Sequence, residues 1–236
     1  MHTILLDAIP PATDHTLTVR GDEARHAIRV KRLREGATLR LVDGQGHVCL
    51  ARITAARRDL ELALLERSTE PSLTPAIELC SATPKGPRLD KMIDQLSQIG
   101  VATWRPMNTA YGVVDPGAGK LDRMARIVAE SAKQAARAWL MKIAEPITFA
   151  DAIAPADGQT ILLADASGEP YSPTGSQEIR ILIGPEGGFT DDERQAARAA
   201  GARLINLAPH TLRIETAAAA AATIVLHEEL RARNMS

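Results

Sequence analysis

Residues 179–200 read IRILIGPEGGFTDDERQAARAA, and this stretch sets the class of fold. The short apolar run at 179–183 has the composition of a strand buried in a parallel sheet. A helix is predicted after the loop, because Thr190 and Glu193 have capping-box spacing and Gly201 stands where the helix would end. A buried strand that leads through a glycine-rich loop into a capped helix is typical of an α/β domain.

The same alternation of strands and helices extends over residues 75–236. Apolar runs that predict buried strands lie at 77–82, 101–106, 161–164, 179–183 and 204–207. Helices are predicted at 88–99, 120–140, 190–200 and 216–233. We therefore predict an α/β domain with a mainly parallel sheet in this part of the chain.

Residues 1–70 have a different pattern, in which short strands dominate. The runs at 38–42 and 48–53 are separated by the hairpin signal Asp43-Gly44, and leucines alternate with other residues over 60–64. Asp22 is predicted to cap a short helix between these strands and the N-terminus. The pattern predicts a small β-barrel with one helix, followed by a proline-containing linker at 70–75.

Composition limits the possible classes of protein. The chain has 236 residues, of which 45% are hydrophobic, so it can bury a sizeable core. No apolar run approaches the ~20 residues that cross a bilayer, and Met1–Pro11 lacks the features of a signal peptide. We expect a cytoplasmic protein in which Cys49 and Cys80 are buried free thiols, since their spacing matches no metal site.

Charge is unevenly distributed, although the net charge is only −1. Between Arg20 and Arg40 lie seven basic residues and three acidic ones. Such a cluster can contact RNA phosphates, or it can be a solvated helix face. Aromatic residues make up only 3% of the chain, so there are few side chains on which RNA bases could stack.

Two loops that follow predicted strands are candidate ligand sites. In the first, residues 183–189, three glycines within five residues let backbone groups approach a ligand beyond the carboxyl end of a strand. The loop matches neither phosphate-binding glycine motif, and a plain tight turn is the alternative. In the second, residues 207–216, Arg213 is suited to orient a base or phosphate and Glu215 to accept a proton. The alternative is an Arg–Glu pair that only fixes the loop.

A polar stripe is predicted on the long helix at 120–140. Glu130, Gln134 and Arg137 are spaced so that they share one face of that helix. The stripe either lines a groove or an interface, or is simply solvated.

The motifs Ile-Gly-Pro-Glu-Gly-Gly-Phe at 183–189 and Leu-Arg-x-Glu-Thr-Ala at 212–217 resemble those of the RsmE family. These are SPOUT-class enzymes that methylate uridine N3 of 16S ribosomal RNA. Weaker matches run in order along the chain: His26-x-x-x-Val30-x-Arg32-Leu33, Lys85-Gly86-x-Arg88-x-Asp90 and Glu130-x-x-x-Gln134-x-x-Arg137. The resemblance implies a PUA-like β-barrel that binds RNA over residues 1–70 and a SPOUT domain over 75–236. It also implies a trefoil knot, with the cofactor site, from about residue 160, and a homodimer.

The resemblance further assigns residues to ligands. Backbone groups of three loops would hold S-adenosylmethionine: Leu163, Ile183, Gly184, Pro185, Glu186, Gly187, Gly188, Leu207, Ala208 and Leu212. RNA would be contacted by His26, Arg29, Arg32, Lys85, Arg88 and Arg137, so its binding should weaken steeply with salt.

The implied reaction is attack of uridine N3 on the methyl carbon of the cofactor, and the RNA partner is the 16S molecule or the small ribosomal subunit. No metal is expected, because the sulfonium is already a good leaving group. Arg213 is expected to stabilise the uracil anion or hold the RNA, and Glu215 to act as base or to orient Arg213.

Two alternatives stay open, and departures from the family pattern at Ala208, His210 and Ile214 motivate the first of them. One is a non-catalytic RNA-binding or assembly protein on the same fold, which would not bind S-adenosylmethionine. The other is a SPOUT methyltransferase that acts on a ribose 2′-hydroxyl or on a different RNA position.

Overall fold

The computed structural model describes residues 1–112 and 118–235, in two compact units. The first unit comprises Met1–Ser72 together with Ala132–Leu140, and the second comprises Leu73–Ser131 and the residues from Met141 onward. The segment Ala132–Leu140 lies, in sequence, within the predicted second domain, but it packs with the first unit.

The first unit is built around a five-stranded mixed sheet. Its elements are β1 (His2–Leu5), β2 (Thr16–Val19), α1 (Gly21–Arg25), a π-helical turn (His26–Val30), β3 (Thr38–Val42), β4 (His47–Ala56) and β5 (Leu60–Thr69). The strand order is β1-β3-β4-β5-β2; β1 and β3 are parallel and the other neighbours are antiparallel. Strand residues such as Leu39, Ile53 and Leu62 form a core that is closed to solvent. The strands predicted at 38–42, 48–53 and 60–64 are confirmed.

The turns of this unit bear out one prediction and correct another. Asp43 and Gly44 form the β3–β4 turn, in which Gly44 has a φ of 77° and the Asp43 carboxylate accepts the Gln45 N–H at 2.8 Å. The prediction that Asp22 caps the short helix is wrong. The N-cap of α1 is Arg20, whose side chain makes no capping hydrogen bond, and the Asp22 carboxylate pairs with Arg25 instead.

The second unit is an α/β domain, as predicted. Its elements are β6 (Ala76–Ser81), α2 (Pro87–Ile99), β7 (Thr103–Asn108), α3 (Ala118–Gln134), β8 (Lys142–Ile143), β9 (Ile147–Thr148), α4 (Phe149–Ala152), β10 (Gln159–Pro170), β11 (Glu178–Ile183), α5 (Asp191–Ala199), β12 (Arg203–Asn206) and α6 (Ile214–Met235). The strand order is β12-β10-β11-β6-β7-β8, with β9 beside β7, and all the pairs are parallel. Apolar residues on both faces, such as Leu79, Leu163 and Ile181, are fully buried.

The register of the sheet brings several strand ends to one edge. Ala164 of β10 pairs with both Ile183 of β11 and Ile205 of β12, and Ile183 also pairs with Ser81 of β6. Because the strands are parallel, the loops that follow them emerge side by side.

The helices of this unit follow the predicted bounds with one exception. Helix α2 ends at Gly100, which has a φ of 116°, and α5 begins with the predicted capping box of Thr190 and Glu193. The helix predicted at 120–140 ends at Gln134, because Ala136 adopts a left-handed conformation with a φ of 54° and the chain turns away.

Three further findings concern the described residues. None of their helices has the length and apolar character that a membrane crossing requires. Within these residues, no group of three or more His, Cys, Asp and Glu side chains is arranged to hold a metal ion. Cys49 and Cys80 are buried free thiols, as predicted, and burial raises the pKa of Cys80 to about 12.

Candidate functional site

A cavity of about 400 Å³ opens at the edge of the sheet where β11 and β12 end, beside the part of β10 that follows Ala164, its last residue paired with β11. Its volume is in the range of about 300–1,000 Å³ that is usual for small-molecule sites. It is lined by residues 164–166, 183–188 and 206–212, with Ile214 and Ala217 of α6. Three segments that are far apart in sequence therefore build one site.

The loop after β11 supplies the glycine-rich wall of the cavity. Gly188 has a φ of 71°, and its N–H donates to the Pro185 carbonyl at 2.8 Å, which closes a tight turn. A Cβ on Gly184 would lie only 3.1 Å from the Phe189 ring, so the loop packs closely against that buried side chain. The Phe189 ring in turn contacts Phe149, with 5.4 Å between ring centroids. The apolar anchor at residue 189 holds the loop while its backbone faces the cavity.

Arg194 of α5 connects the glycine-rich loop to Asp165 of β10. Its guanidinium donates to the Phe189 carbonyl and lies 3.4 Å from the Asp165 carboxylate. Burial acts to raise the pKa of Asp165, but hydrogen bonds from Ser167 and the Arg194 charge outweigh it, and the pKa is lowered. Nothing in the sequence singles out Arg194, because a polar residue on the outer face of an amphipathic helix has the same pattern as a residue that only contacts solvent.

Asn206, the last residue of β12, connects the segment 206–212 to Ala166 of β10. Its side-chain amide donates to the Ala166 carbonyl at 3.1 Å, and its amide oxygen accepts the Ala208 N–H at 3.0 Å. Asn206 is a polar residue inside the otherwise apolar run predicted as a strand at 204–207, and that position is the signal by which it could have been found.

The residues predicted to contact the cofactor are brought together, with one exception. Those that line the cavity are Ile183, Gly184, Pro185, Glu186, Gly187, Gly188, Leu207, Ala208 and Leu212. Leu163 does not line it. Its side chain is completely buried in the sheet, one residue before Ala164, where the cavity begins.

Arg213 and Glu215 lie next to the cavity but point to different surroundings. Arg213 is exposed between the lining residues Leu212 and Ile214, and it forms no ion pair within the described parts of the chain. Glu215 lies in the first turn of α6 and is 6% exposed, and its Oε2 has no hydrogen-bond partner among the described residues. The structure contains no hydrogen bond between the two side chains in the region that it describes, so the Arg–Glu pair that was the alternative for this loop is not formed.

The loop after β6 brings two predicted RNA contacts to the same edge. Lys85 is exposed, and Arg88 lies in the first turn of α2. Arg88 Nη1 is 3.2 Å from Glu186 Oε1, so this arginine is paired with the glycine-rich loop.

The other predicted RNA contacts belong to the first unit. His26, Arg29 and Arg32 are exposed, whereas Arg137 is partly buried, and that burial lowers the pKa of its guanidinium. Arg137 lies beyond the end of α3, so the predicted stripe with Glu130 and Gln134 does not continue to it on one helix face.

Two arginines of the first unit change the basic cluster that the sequence indicated. Arg40 is 8% exposed and pairs with Glu70 at 2.5 Å, so it is not free to contact phosphate. Arg58, in the β4–β5 turn, lines a cavity of about 500 Å³ together with Arg20 and Arg25. The Arg57-Arg58 pair between two predicted strands was the signal for it.

Both units match protein families that act on RNA. The RNA methyltransferase domain family matches residues 71–226, and the RNA methyltransferase PUA domain family matches residues 19–65. The chain belongs to the RNA methyltransferase family, because the first match covers well over half of its length. The predicted fold class, a PUA-like part followed by an α/β methyltransferase part, is confirmed.

Similar proteins narrow this class to one group. The chain is 29% identical over 211 residues to Ribosomal RNA small subunit methyltransferase E of Synechocystis sp., with 86% of this chain and 70% of that protein covered. The protein of the same name from Aquifex aeolicus is 29% identical over 220 residues, with 89% and 94% covered. A crystal structure of Ribosomal RNA small subunit methyltransferase E from Neisseria gonorrhoeae, bound to S-adenosyl methionine, has a TM-score of 0.81 at 26% identity, with 94% and 95% covered. The predicted resemblance to the RsmE family is confirmed.

Proposed function

We propose that this protein uses S-adenosylmethionine to methylate N3 of a uridine in the 16S RNA of the small ribosomal subunit. One observation carries the proposal: three segments of adjacent strands and the loops after them, in an RNA methyltransferase domain, line a single cavity of small-molecule size. The Neisseria gonorrhoeae relative, whose fold is similar, binds this cofactor.

The residues of the cavity fit the cofactor. A Cβ on Gly188 would meet no atom within 4 Å, so the wall of the cavity is open where any other residue would place a side chain. Ile183, Leu207 and Leu212 offer apolar surface for an adenine ring, and the loop backbone offers hydrogen bonds to its edge. When it is bound, S-adenosylmethionine supplies an activated methyl group on a sulfonium, so the protein needs no metal for this chemistry.

The residues of this chain must then accept the N3 proton of the uracil and stabilise the negative charge that its loss leaves. N3 carries a proton that has to leave, and the uracil anion has to be stabilised while it reacts. The exposed guanidinium of Arg213, without an ion pair in the described residues, is suited to stabilise that anion or to hold the RNA. Glu215 has a buried carboxylate oxygen without a partner in the same region, and it is suited to accept a proton.

RNA binding is proposed to involve both units. His26, Arg29 and Arg32 of the first unit and Lys85 and Arg88 of the second are placed for contacts with phosphates, and Arg137 is retained as a candidate. Phosphate contacts release counterions, so affinity is expected to fall steeply with salt.

The first experiment is a calorimetric titration of the purified protein with S-adenosylmethionine and, separately, with its demethylated product. Saturable binding at one site per chain is expected. Small ribosomal subunits that lack the methyl group are then incubated with enzyme and cofactor, and mass spectrometry of RNA digests should find 3-methyluridine.

Each other outcome has a definite meaning. A folded protein that binds neither compound would be the non-catalytic RNA-binding or assembly protein. A methyl group on a ribose 2′-oxygen or on another base would keep the enzyme class and reject uridine N3.

Arg194 is expected to be needed for cofactor affinity. The change Arg194→Ala removes the link between Asp165 and the Phe189 carbonyl, so both loops lose their fixed positions. Since these charge-assisted hydrogen bonds hold the two segments in place, we expect S-adenosylmethionine affinity to fall roughly tenfold in calorimetry. The control is Arg198→Ala, an exposed arginine of the same helix, which should leave affinity unchanged. Equal affinities of the two variants would contradict this role.

Three further parts of the proposal follow from the family. We propose that the protein is a homodimer, that the part from about residue 160 forms a trefoil knot, and that the protein works in the cytoplasm, where ribosomes are assembled. Sedimentation of the sample used for calorimetry should give the mass of two chains.

A further inference from the structure

Tyr111 has an exposed aromatic ring beside the glycine-rich loop. The chain contains six Phe, Trp and Tyr residues, all within the described ranges, and Tyr111 is the exposed one, at 65%. A Cβ on Gly187 would lie 3.5 Å from the Tyr111 Cδ2, so the edge of this ring rests against a residue that lines the cavity. The rest of the ring is open to solvent.

The turn that carries Tyr111 is held from several sides. Thr109 and Gly112 exchange two backbone hydrogen bonds of 3.0 and 3.2 Å, which close the turn. The Ala110 N–H donates to Glu193 Oε1 at 2.9 Å, and Oε2 of the same carboxylate accepts the Thr190 N–H at 2.8 Å. The turn is therefore fixed to the start of the helix that follows the glycine-rich loop.

The packing of Gly112 adds to this rigidity. A Cβ on Gly112 would lie 3.3 Å from the Pro185 Cβ and 3.4 Å from the Ala82 Cβ. The Tyr111 turn thus sits directly on two loops that follow neighbouring strands. An aromatic ring that is held in a fixed position and left open to solvent is preorganised to receive a flat ligand.

We propose that Tyr111 is a stacking site for an unpaired base of the RNA at the target nucleotide. The inference rests on the proposed function, because it assigns the arriving RNA to the cavity beside Gly187. N3 of uracil lies on the edge that forms base pairs, so the target base must leave its pair before it can react. A base outside its stack loses contact on both faces, and proteins replace that contact with aromatic rings.

The other aromatic residues of the chain are not available to stack on a base. With aromatic residues at only 3%, the protein has no general aromatic surface for RNA. Trp104, Phe149 and Phe189 are buried, Trp139 and Tyr171 are partly buried, and each of these partly buried rings donates a hydrogen bond inside its own unit. Stacking at the cavity therefore falls to Tyr111.

The test compares Tyr111→Ala and Tyr111→Phe with the wild-type enzyme on small ribosomal subunits that lack the methyl group. The alanine variant should lose roughly tenfold to hundredfold in kcat/KM for the RNA substrate, mainly through KM, with an unchanged Kd for S-adenosylmethionine. The phenylalanine variant keeps the ring and should retain wild-type kinetics. Leu121→Ala, another exposed apolar residue of the same unit, serves as the control and should have no effect.

Other results would overturn the inference. An alanine variant with wild-type kinetics on RNA would reject the stacking role. A variant that loses cofactor affinity and RNA activity together would show that Tyr111 only packs against the glycine-rich loop and supports its structure. If the wild-type protein itself fails to methylate, the proposed function fails. Stacking is then judged by a second probe: the fluorescence of Tyr111→Trp should be quenched by single-stranded oligouridylate, above the quenching seen in wild type, and equal quenching would reject it.

Discussion

Replacement of Glu229 by alanine is expected to lower the free energy of unfolding by roughly 3–5 kcal/mol, the largest stability effect that we predict for a single side chain. Glu229 of α6 is fully buried. Its Oε1 accepts hydrogen bonds from the Tyr171 hydroxyl at 2.6 Å, the Thr174 N–H at 2.6 Å and the Thr174 hydroxyl at 2.9 Å, and its Oε2 accepts the Gly175 N–H at 3.2 Å. Removing the carboxylate leaves these donors buried without a partner.

The same residue makes stability depend on pH in the acid range. Burial acts to raise the pKa of Glu229, but the hydrogen bonds from Thr174, Tyr171 and Gly175 outweigh it, and the pKa is lowered. A depressed pKa in the folded state means that the stabilisation is fully present above the unfolded-state pKa of about 4.3. It is lost as the pH falls through the folded-state pKa, so the wild type should lose more stability than Glu229→Ala between neutral and acid pH.

Denaturant unfolding of both proteins at several pH values measures the two effects. The neighbouring Glu228→Ala is the control, since Glu228 only forms a partly exposed pair with Arg231 and should contribute at most about 1 kcal/mol. If Glu229→Ala has the same midpoint of denaturant unfolding as the wild type, the buried carboxylate does not stabilise the packing of α6 against the connection between β10 and β11.

Replacement of Arg213 by alanine is expected to lower the methylation rate by about 100-fold or more, the largest functional effect that we predict. The reason is electrostatic. A guanidinium without an ion pair in the described residues, next to the cavity-lining Leu212 and Ile214, has its charge available for a uracil anion. The Kd for S-adenosylmethionine should change little, because the cavity wall at this point is formed by the neighbours of Arg213.

Single-turnover methylation of small ribosomal subunits, together with calorimetry of the cofactor, measures this effect. Arg213→Lys should recover part of the rate, since it keeps the charge but loses the planar fork. Arg231→Ala, an exposed arginine later on α6, is the control and should be silent. Full activity of Arg213→Ala with cofactor binding intact would remove Arg213 from the reaction and leave Glu215 as the remaining candidate.

Some residues of the site can be recognised from local sequence patterns, and others only from contacts between distant parts of the chain. The glycines that line the cavity could be picked out from the sequence, because a predicted strand precedes their loop and a capped helix follows it. Leu163 was predicted as a cofactor contact, but its side chain is buried in the sheet and the cavity begins at Ala164, so its contact with the cofactor stays a prediction. Arg194 and Tyr111 were not singled out from the sequence, because Arg194 contacts Asp165 of β10 and Tyr111 rests on Gly187, and each of these contacts joins residues far apart in the chain.

The sequence by itself determined the alternation of strands and helices, the ends of α2 and α5, the glycine-rich loop and the family. The alternation, the helix ends and the loop depend on apolar periodicity, capping residues and turn residues, which act over a few neighbouring positions, whereas the family follows from the resemblance of the motifs at 183–189 and 212–217. Only the tertiary structure decided the order β12-β10-β11-β6-β7-β8, which brings three segments to one cavity. It also decided that α3 ends at Gln134, that Arg40 is buried against Glu70 and that Tyr111 rests on Gly187. The physical reason is that these contacts join residues far apart in the chain, and packing and charge pairing choose among arrangements that local patterns leave equally possible.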